Sequence, residues 1–501
     1  TLQAKPNLGL ALSGGGYRAA TLSLGWVRGL HMLGVLPHLR YVSSNSGGSW
    51  FNGAMSYGGF PLGPFLGPYS PPANLSRDAL GSPSLLPPGS FGDTLAKEDI
   101  VAKAVKGVIK DLFKPGHNSF SGWTAAIAAA FYDPYGLGLQ NSSLTCEGTR
   151  GNVSARLAAA YPGMPLYAAM SSPDRPFPII LGSIMRVLTD QVFYPFEVTP
   201  LYLGDPARNT TTFPALGPGF VEPLGFNSAP PDTRPVGGQA VGLQGTVNVT
   251  PSMLVPLSTF VGISSSFISQ GVRPEHSAMY ALTGTERLLY WNQLDYSGAR
   301  VPFADGAGAD NSGITPLLRR RVTHIVSCAS SVNPANISAA EWAIAQHDVA
   351  SLFGAVPLNI TNTKKYRKHG INGVQPGVYN AAHQVFPQER YAELYNALYS
   401  SLSAGRPAVH RASYPVLDNA AQAITGGWQV EMLWLFNMQI SDWEEQLPVD
   451  TRTFLNESRY KKKSDMRHYP YISTFTANYT PELVTLLSQQ ASWSVLQAAP
   501  E

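Results

Sequence analysis

Apolar positions change their spacing along the first sixty residues, and each change marks the edge of an element. Leu8–Leu12 is a short apolar run with a glycine inside it, long enough for one buried strand and too short for a helix. After Gly14, Gly15 and Gly16, the residues Ala20, Leu24, Val27 and Leu30 recur at helical spacing, which predicts an amphipathic helix over Gly16–Met32. Tyr41 and Val42 open a second strand, and Trp50, Phe51, Ala54 and Met55 begin a second helix after a turn of small residues. Residues 177–185 and 322–329 read as further buried strands, 123–131 as an alanine-rich helix, and 427–440 as an aromatic-rich apolar segment. Thr480 followed by Pro481 and Glu482 is a helix start, leading into Leu483, Leu486, Leu487 and Trp493.

Two of these boundaries carry chemistry. The glycines before the first helix sit where amides have no helical partner and the local dipole is positive, so an anion or a developing oxyanion can approach the backbone closely. Arg18, within the first turn, adds a planar cation suited to phosphate. A tight turn with a surface arginine is the plain reading. A nucleotide phosphate loop is the other active one, weakened by the missing Lys-Ser/Thr ending. At the second boundary, Ser46 lies in a strand-to-helix turn with the small residues Ser44 and Gly48 two positions either side, the setting of a strained, outward-pointing nucleophile. Ser43, Ser44 and Ser49 are rivals, and simple turn chemistry is the plain alternative.

A serine nucleophile needs a base. In V-P-F-A-D-G-A-G-A-D, residues 301–310, Asp305 is followed by small residues that allow another loop to come close; Asp310 is the alternative, and an Asx turn the plain reading. His276, His324, His347 and His383 follow Ser46 in the chain and compete as bases, although none sits in a recognisable loop context. No paired His or Cys spacing suggests a metal site, and no cofactor is expected.

The blocks S-G-G-G-Y-R-A-A, N-S-G-G-S-W and F-A-D-G-A resemble the three signature blocks of the lysophospholipase/phospholipase B and group IV cytosolic phospholipase superfamily, whose wider relatives include patatin. Residues 194–204 (Y-P-F-E-V-T-P-L-Y-L-G) and 260–267 (F-V-G-I-S-S-S-F) are also similar to it, so the resemblance runs from about Leu8 to about Ser330 in the family's order. It implies a Ser-Asp dyad without histidine: Ser46 as nucleophile, Asp305 as base, Gly15 and Gly16 as oxyanion donors, and Arg18 close to the substrate phosphate. Asn311, six residues beyond Asp305, also matches a recurrent family position and favours Asp305 over Asp310. Two positions depart from the pattern, with Ser44 for the glycine before the nucleophile and Ala307 for a frequent second glycine after the aspartate. Neither removes a reacting group.

Composition sets the surroundings. Charged residues are 13% of the 501, below the roughly 25% of ordinary soluble domains, and the net charge of +3 gives no case for nucleic acid. The basic runs at 364–368 and 461–463 read as solvated faces. N-x-S/T sequons at Asn74, Asn141, Asn152, Asn209, Asn248, Asn336, Asn359, Asn456 and Asn478 exceed the roughly three that ordinary usage would give, and point to a secreted or secretory-pathway glycoprotein, the vacuole or lysosome included. Cys146 and Cys328 allow one bridge at most, and Cys328 reads as a core thiol. The chain begins at Thr1 without a signal peptide, as expected of a processed mature form or of a trimmed sequence. No run of eighteen apolar residues exists, so contact with a membrane or micelle is expected to be peripheral.

The expectation is one catalytic domain over residues 1–501: a three-layer α/β/α patatin-like hydrolase with a predominantly parallel central sheet and lid or cap insertions at 58–170 and 205–260. Within the first insertion, 60–91 reads as irregular backbone with exposed apolar groups, and 123–131 as either a lid over the entrance or an ordinary core helix. The expected activity is hydrolysis of fatty-acyl esters of glycerophospholipids or lysophospholipids. An acyltransferase using the same dyad, and a catalytically silent lipid-binding protein, are the alternatives.

Overall fold

Side chains alternate between the two faces of the central strands, and each face carries its own apolar core. In the first strand Leu10 and Leu12 join one cluster while Ala11 joins the other; a strand with period two must divide its residues this way when both faces are covered. Val42, Ile180, Val326 and Cys328 continue the first cluster, and Ile179, Leu181, Ile325 and Trp434 the second. The first face is covered by α1 (Gly16–Met32), α2 (Gly47–Tyr57) and the closing helix Pro481–Ala498, and the second by Thr315–Arg319, Ala339–Ala345, His347–Leu352 and Tyr391–Ser403. This is the expected three-layer α/β/α architecture. The computed structural model describes residues 2–97, 119–187, 191–206, 219–229, 251–266, 287–291, 298–331, 333, 336–356, 383–462, 464–474, 476 and 478–498.

Among these residues the strands are β1 (Leu8–Leu12), β2 (Tyr41–Asn45), β3 (Ser143–Cys146), β4 (Leu166–Ala169), β5 (Phe177–Val187), β6 (Gln191–Val198), β7 (Leu203–Asp205), β8 (Gly219–Val221), β9 (Arg287–Trp291), β10 (Gly298–Asp305), β11 (His324–Ala329), β12 (Ala408–Val416) and β13 (Trp428–Phe436). The main sheet runs β12-β13-β11-β1-β2-β5-β6-β7-β8, with β10 paired to β5 and β9; β3 and β4 form a separate pair. The heart of the sheet, β13-β11-β1-β2-β5, is parallel throughout. Both margins are antiparallel, through β12 on one side and β6, β7 and β8 on the other.

The placement of β10 matters most for the site. β2 pairs with the first half of β5, ending with Asn45 opposite Leu181, and β10 pairs with the next stretch of β5, ending with Asp305 opposite Gly182. The far edge of β5 is held by β6 over residues 180–187. A strand has two hydrogen-bonding edges, so β2 and β10 must share the remaining one. β2 is parallel to β5 and β10 antiparallel, so their C-terminal ends meet head-on.

Close helix packing fixes the first layer. A Cβ on Gly25 of α1 would lie 2.2 Å from Ser488 O, and one on Gly29 would lie 2.7 Å from Val495 Cβ, so the closing helix rests directly on the α1 backbone. Residues 60–91 differ from the sequence expectation. Leu62, Phe65, Leu66, Leu75, Leu80, Leu85 and Leu86 are buried in the first core rather than exposed. Arg28 holds this segment to α1 by donating through Nε to Leu66 O at 3.0 Å. The helix Ser119–Phe131 also packs inward, with Trp123, Ile127 and Phe131 buried and Trp123 Nε1 donating to Gly262 O at 3.1 Å.

Parts of both expected insertions, 98–118, 207–218 and 230–250, lie outside the described residues, as do the sequons at Asn209, Asn248 and Asn359. Asn74, Asn141, Asn152, Asn336, Asn456 and Asn478 are exposed. Cys146 and Cys328 are both buried and free. Among the described residues, no helix is long and apolar enough to cross a membrane.

Candidate active site

Ser46 follows β2 and caps α2 with φ 48° and ψ −123°, a conformation that L-residues avoid and that a nucleophile turn imposes. The turn is tight: a Cβ on Gly47 would lie 1.9 Å from Gly16 O, and one on Gly48 would lie 2.8 Å from Ser13 O. Only glycines let the two turns touch. The strained residue is anchored through its amide, which donates to Ser264 Oγ at 3.0 Å. Ser264 belongs to the helix Leu257–Ser264, and its hydroxyl passes the chain on to Ser49 Oγ at 3.0 Å. Ser49 Oγ lies 2.9 Å from Ser44 Oγ, which also accepts from Asn52 Nδ2 at 2.9 Å. The rival serines Ser44 and Ser49 are thus engaged beneath the turn, and Ser44 fits where the family pattern has glycine because its hydroxyl has partners.

Ser46 Oγ lies 3.4 Å from Asp305 Oδ2. The other carboxylate oxygen accepts from Ala307 N at 2.9 Å and sits 3.5 Å from Asn45 Nδ2. Asp305 is 2% exposed, and burial pushes its pKa from 3.8 up to about 7, against smaller lowering contributions from Ala307, Asn45 and Ser46. The neighbouring Gly306 permits the approach, since a Cβ there would lie 2.2 Å from Asn45 Oδ1. Ala307 fits in place of the second glycine, because its main-chain amide makes the contact.

Asp310 does something else. Its two carboxylate oxygens accept from Ser312 N and Oγ, Gly313 N, and Thr315 N and Oγ1 at 2.6–3.2 Å, which ties the loop after Asp305 to the next helix. Among the histidines, His276 lies outside the described residues. His324 stands opposite Leu8 at the start of β11, the end of the sheet away from Ser46. His347 interacts with Asp348 and has a backbone hydrogen bond with Ile344, His383 is buried, and neither hydrogen-bonds Ser46.

The glycine loop meets this pair from β1. Gly14 N donates to Asn311 O at 2.9 Å, and a Cβ on Gly14 would lie 3.0 Å from Ser46 Cβ. Gly15 (φ 138°) and Gly16 (φ 60°) follow at the N-terminus of α1, and neither amide has an acceptor among the described residues. Asn311 braces the whole arrangement: its side chain accepts from Asn45 Nδ2 at 2.8 Å and donates to Asp348 Oδ2 at 2.8 Å.

Arg18 is buried beside this loop, and its NH2 would lie 2.7 Å from a Cβ on Gly15. Its guanidinium donates to Ile472 O, to Ser330 O at 3.1 Å and to Thr474 Oγ1 at 3.3 Å. Sequence reasoning did not single out Ser264, Asn52 or the 472–474 segment as part of the site. Ser264 lies inside the 260–267 stretch, but a hydroxyl in an apolar helix has no local signature of its role. A surface cleft of about 460 Å³, lined by glycines and prolines of 63–68 and 87–89, contains none of the site residues.

The arrangement unites an alcohol, a carboxyl group of raised basicity and two unspent amides. No protein-family model matches the chain. No curated protein matches it either. Among solved structures it is similar to human GIVD cytosolic phospholipase A2, at 14% identity and a TM-score of 0.49, over 98% of this chain and 59% of that one. The complex of that protein with methyl gamma-linolenyl fluorophosphonate and terbium chloride matches at 16% identity and a TM-score of 0.46, over 98% and 58%. The complex with methyl gamma-linolenyl fluorophosphonate matches at 16% and 0.43, over 98% and 57%. The chain spans less than three-fifths of the length of these human structures.

Proposed function

We propose that this chain is an acyl-ester hydrolase acting on glycerophospholipids or lysophospholipids through a Ser46–Asp305 dyad and a covalent acyl-enzyme. The observation that carries the reading is the 3.4 Å approach of Ser46 Oγ to Asp305 Oδ2, with the serine on a strained turn and the carboxyl buried. Contacts of this kind are often long without substrate and shorten when the reacting groups are engaged. In the forward step Ser46 Oγ attacks the ester carbonyl carbon while its proton passes to Asp305. The Gly15 and Gly16 amides hold the charged oxygen of the tetrahedral intermediate. Collapse breaks the bond to the alcohol, which leaves with the proton from Asp305. Water then attacks the acyl-serine as Asp305 takes its proton; the acyl–Oγ bond breaks, Asp305 returns the proton to Ser46 Oγ, and the fatty acid departs.

Burial of both reacting groups favours one second reading, an acyltransferase, because a dry site gives a bound alcohol the advantage over water. Products measured with and without an alcohol acceptor separate the two. We further propose that the chain is a secretory-pathway glycoprotein that meets lipid peripherally, supported by the exposure of the six described sequon asparagines. Loss of mass on treatment with an N-glycan amidase tests that reading.

The decisive experiment exposes wild type, Ser46→Ala and Asp305→Asn to a serine-directed fluorophosphonate, and follows fatty-acid release from a mixed phospholipid and lysophospholipid panel. Labelling and release are expected for wild type alone, with turnover in Ser46→Ala down by at least about 10³-fold. Release unchanged in that variant would remove the assignment.

A further inference from the structure

The family resemblance leads one to expect Arg18 at the substrate phosphate, yet its surroundings describe a different task. The side chain is 2% exposed. Two of its nitrogens are committed to the protein: NH1 to Ile472 O, and NH2 to Ser330 O and Thr474 Oγ1. The remaining nitrogen, Nε, has no partner but is itself buried. No carboxylate forms an ion pair with the guanidinium among the described residues: its hydrogen bonds go to two backbone carbonyls and one hydroxyl, while Asp348 acts on its charge from a distance. A phosphate seeking this cation would have to displace main-chain bonds and leave buried carbonyls without donors, which is costly.

Two of those acceptors, Ser330 and Thr474, also touch the oxyanion loop. Ser330, just beyond β11, donates through Oγ to Gly14 O and through N to Ser13 Oγ, so it grips the loop from one side. Thr474 O presses on the other, 2.8 Å from where a Cβ on Gly16 would stand. The planar fork of Arg18 joins both supports while lying against Gly15. A lysine could supply the charge but not three fixed directions.

We propose that Arg18 is a positioning residue, a clasp that holds the 472–474 segment and Ser330 around Gly15 and Gly16, and that it does not read the head group. Acyl glycerols without phosphate are then substrates alongside lysophospholipids. This rests on the ester-hydrolase reading above.

The test compares wild type, Arg18→Gln and Arg18→Lys on two esters with the same acyl chain, palmitoyl lysophosphatidylcholine and monopalmitoylglycerol, each at equal mole fraction in detergent micelles. Wild type should turn over both. In Arg18→Gln, kcat should fall on both by about 100-fold, the cost of a misplacement near 1 Å at a reacting centre, with KM and the ratio of kcat/KM between the two esters unchanged. Arg18→Lys should behave the same way and covers the case in which the glutamine variant fails to fold. A tenfold rise in KM confined to the phosphate ester would overturn the clasp, as would unchanged kcat on both or wild-type turnover of the phosphate ester alone. If wild type cleaves neither ester, the hydrolase reading has failed, and the clasp is decided by amide hydrogen exchange at residues 472–474. Faster exchange in the variant supports it, and unchanged exchange overturns it.

Discussion

Asn45 and Asp305 occupy consecutive positions on one edge of β5, opposite Leu181 and Gly182, although they are 260 residues apart in the chain. The end of β2 and the end of β10 therefore face each other, and Ser46 and Asp305 are the residues that each strand presents at the junction. Gly306 is a tight point of this junction. A Cβ there would lie 2.2 Å from Asn45 Oδ1 and 2.7 Å from Leu181 O, and the second of these is backbone that has little room to yield. Gly306→Ala should draw Asp305 away from Ser46, lowering kcat by about 100-fold and stability by about 1–3 kcal/mol. Steady-state kinetics and urea unfolding of the variant check both.

Asp305, the proposed base, also sets the expected pH dependence. A general base must be ionised, so kcat/KM should rise with pH through about 7, the value to which burial pushes this carboxyl. The effect on stability has the opposite sense. The folded protein holds the proton more tightly than the unfolded chain, so stability falls as pH rises from the ordinary carboxylate value of 3.8 through about 7. Asp305→Asn removes that penalty. It should be inactive, equal in stability to wild type below pH about 4, and more stable at pH 8 by a few kcal/mol at most, roughly 4 from the size of the shift. Melting curves at both pH values measure the difference.

How much of this was legible in the sequence depends on the range of the interaction. β1, α1, β2 and the closing helix are set by local spacing of apolar residues; the bounds expected for β1 and α1, and the starts expected for β2 and the closing helix, agree with the structure. Gly14 to Gly16 and Ser46 stand out because both lie at abrupt strand-to-helix changes. Asp305 and Asp310 look alike in local sequence, where only the resemblance ranks them; in space one faces Ser46 and the other is filled by donors from its own loop. The antiparallel margins, the burial of the leucines in 60–91, and the grip of 472–474 on Arg18 are pairings across long stretches of chain. No periodicity announces them.

Ser264 is the clearest case of a residue whose role lies wholly in such a pairing. Its hydroxyl accepts the Ser46 amide and donates to Ser49 Oγ. Ser264→Ala would leave that amide buried without an acceptor, beneath a residue already strained at φ 48°. Stability should fall by about 1–3 kcal/mol and kcat by about tenfold, with KM unchanged because no substrate contact is lost. Ser264→Thr keeps the hydroxyl and should recover most of the rate. Equal kcat in the alanine and threonine variants would show that the hydroxyl does not steady the nucleophile.

Glu197 holds the sheet level with this site from the other edge of β5, where it pairs with Leu181. Its carboxylate meets Arg319 Nε at 2.8 Å and Arg320 NH2 at 2.6 Å, tying β6 to the helix Thr315–Arg319 that follows the Asp310 loop. Burial opposes the charge, but the two arginines outweigh it and draw the pKa from 4.5 down to about 2. The sign follows from the depressed value: the stabilisation is fully present above the ordinary carboxylate range and is lost as pH falls from 4.5 through about 2. Glu197→Gln leaves both guanidinium groups without their counter-charge and should cost about 3–5 kcal/mol near neutral pH. The difference from wild type should shrink as both are acidified, which unfolding titrations at pH 7 and pH 3 would measure. A deficit that stayed constant over that range would mean that packing, rather than the charge on Glu197, holds β6 to the helix.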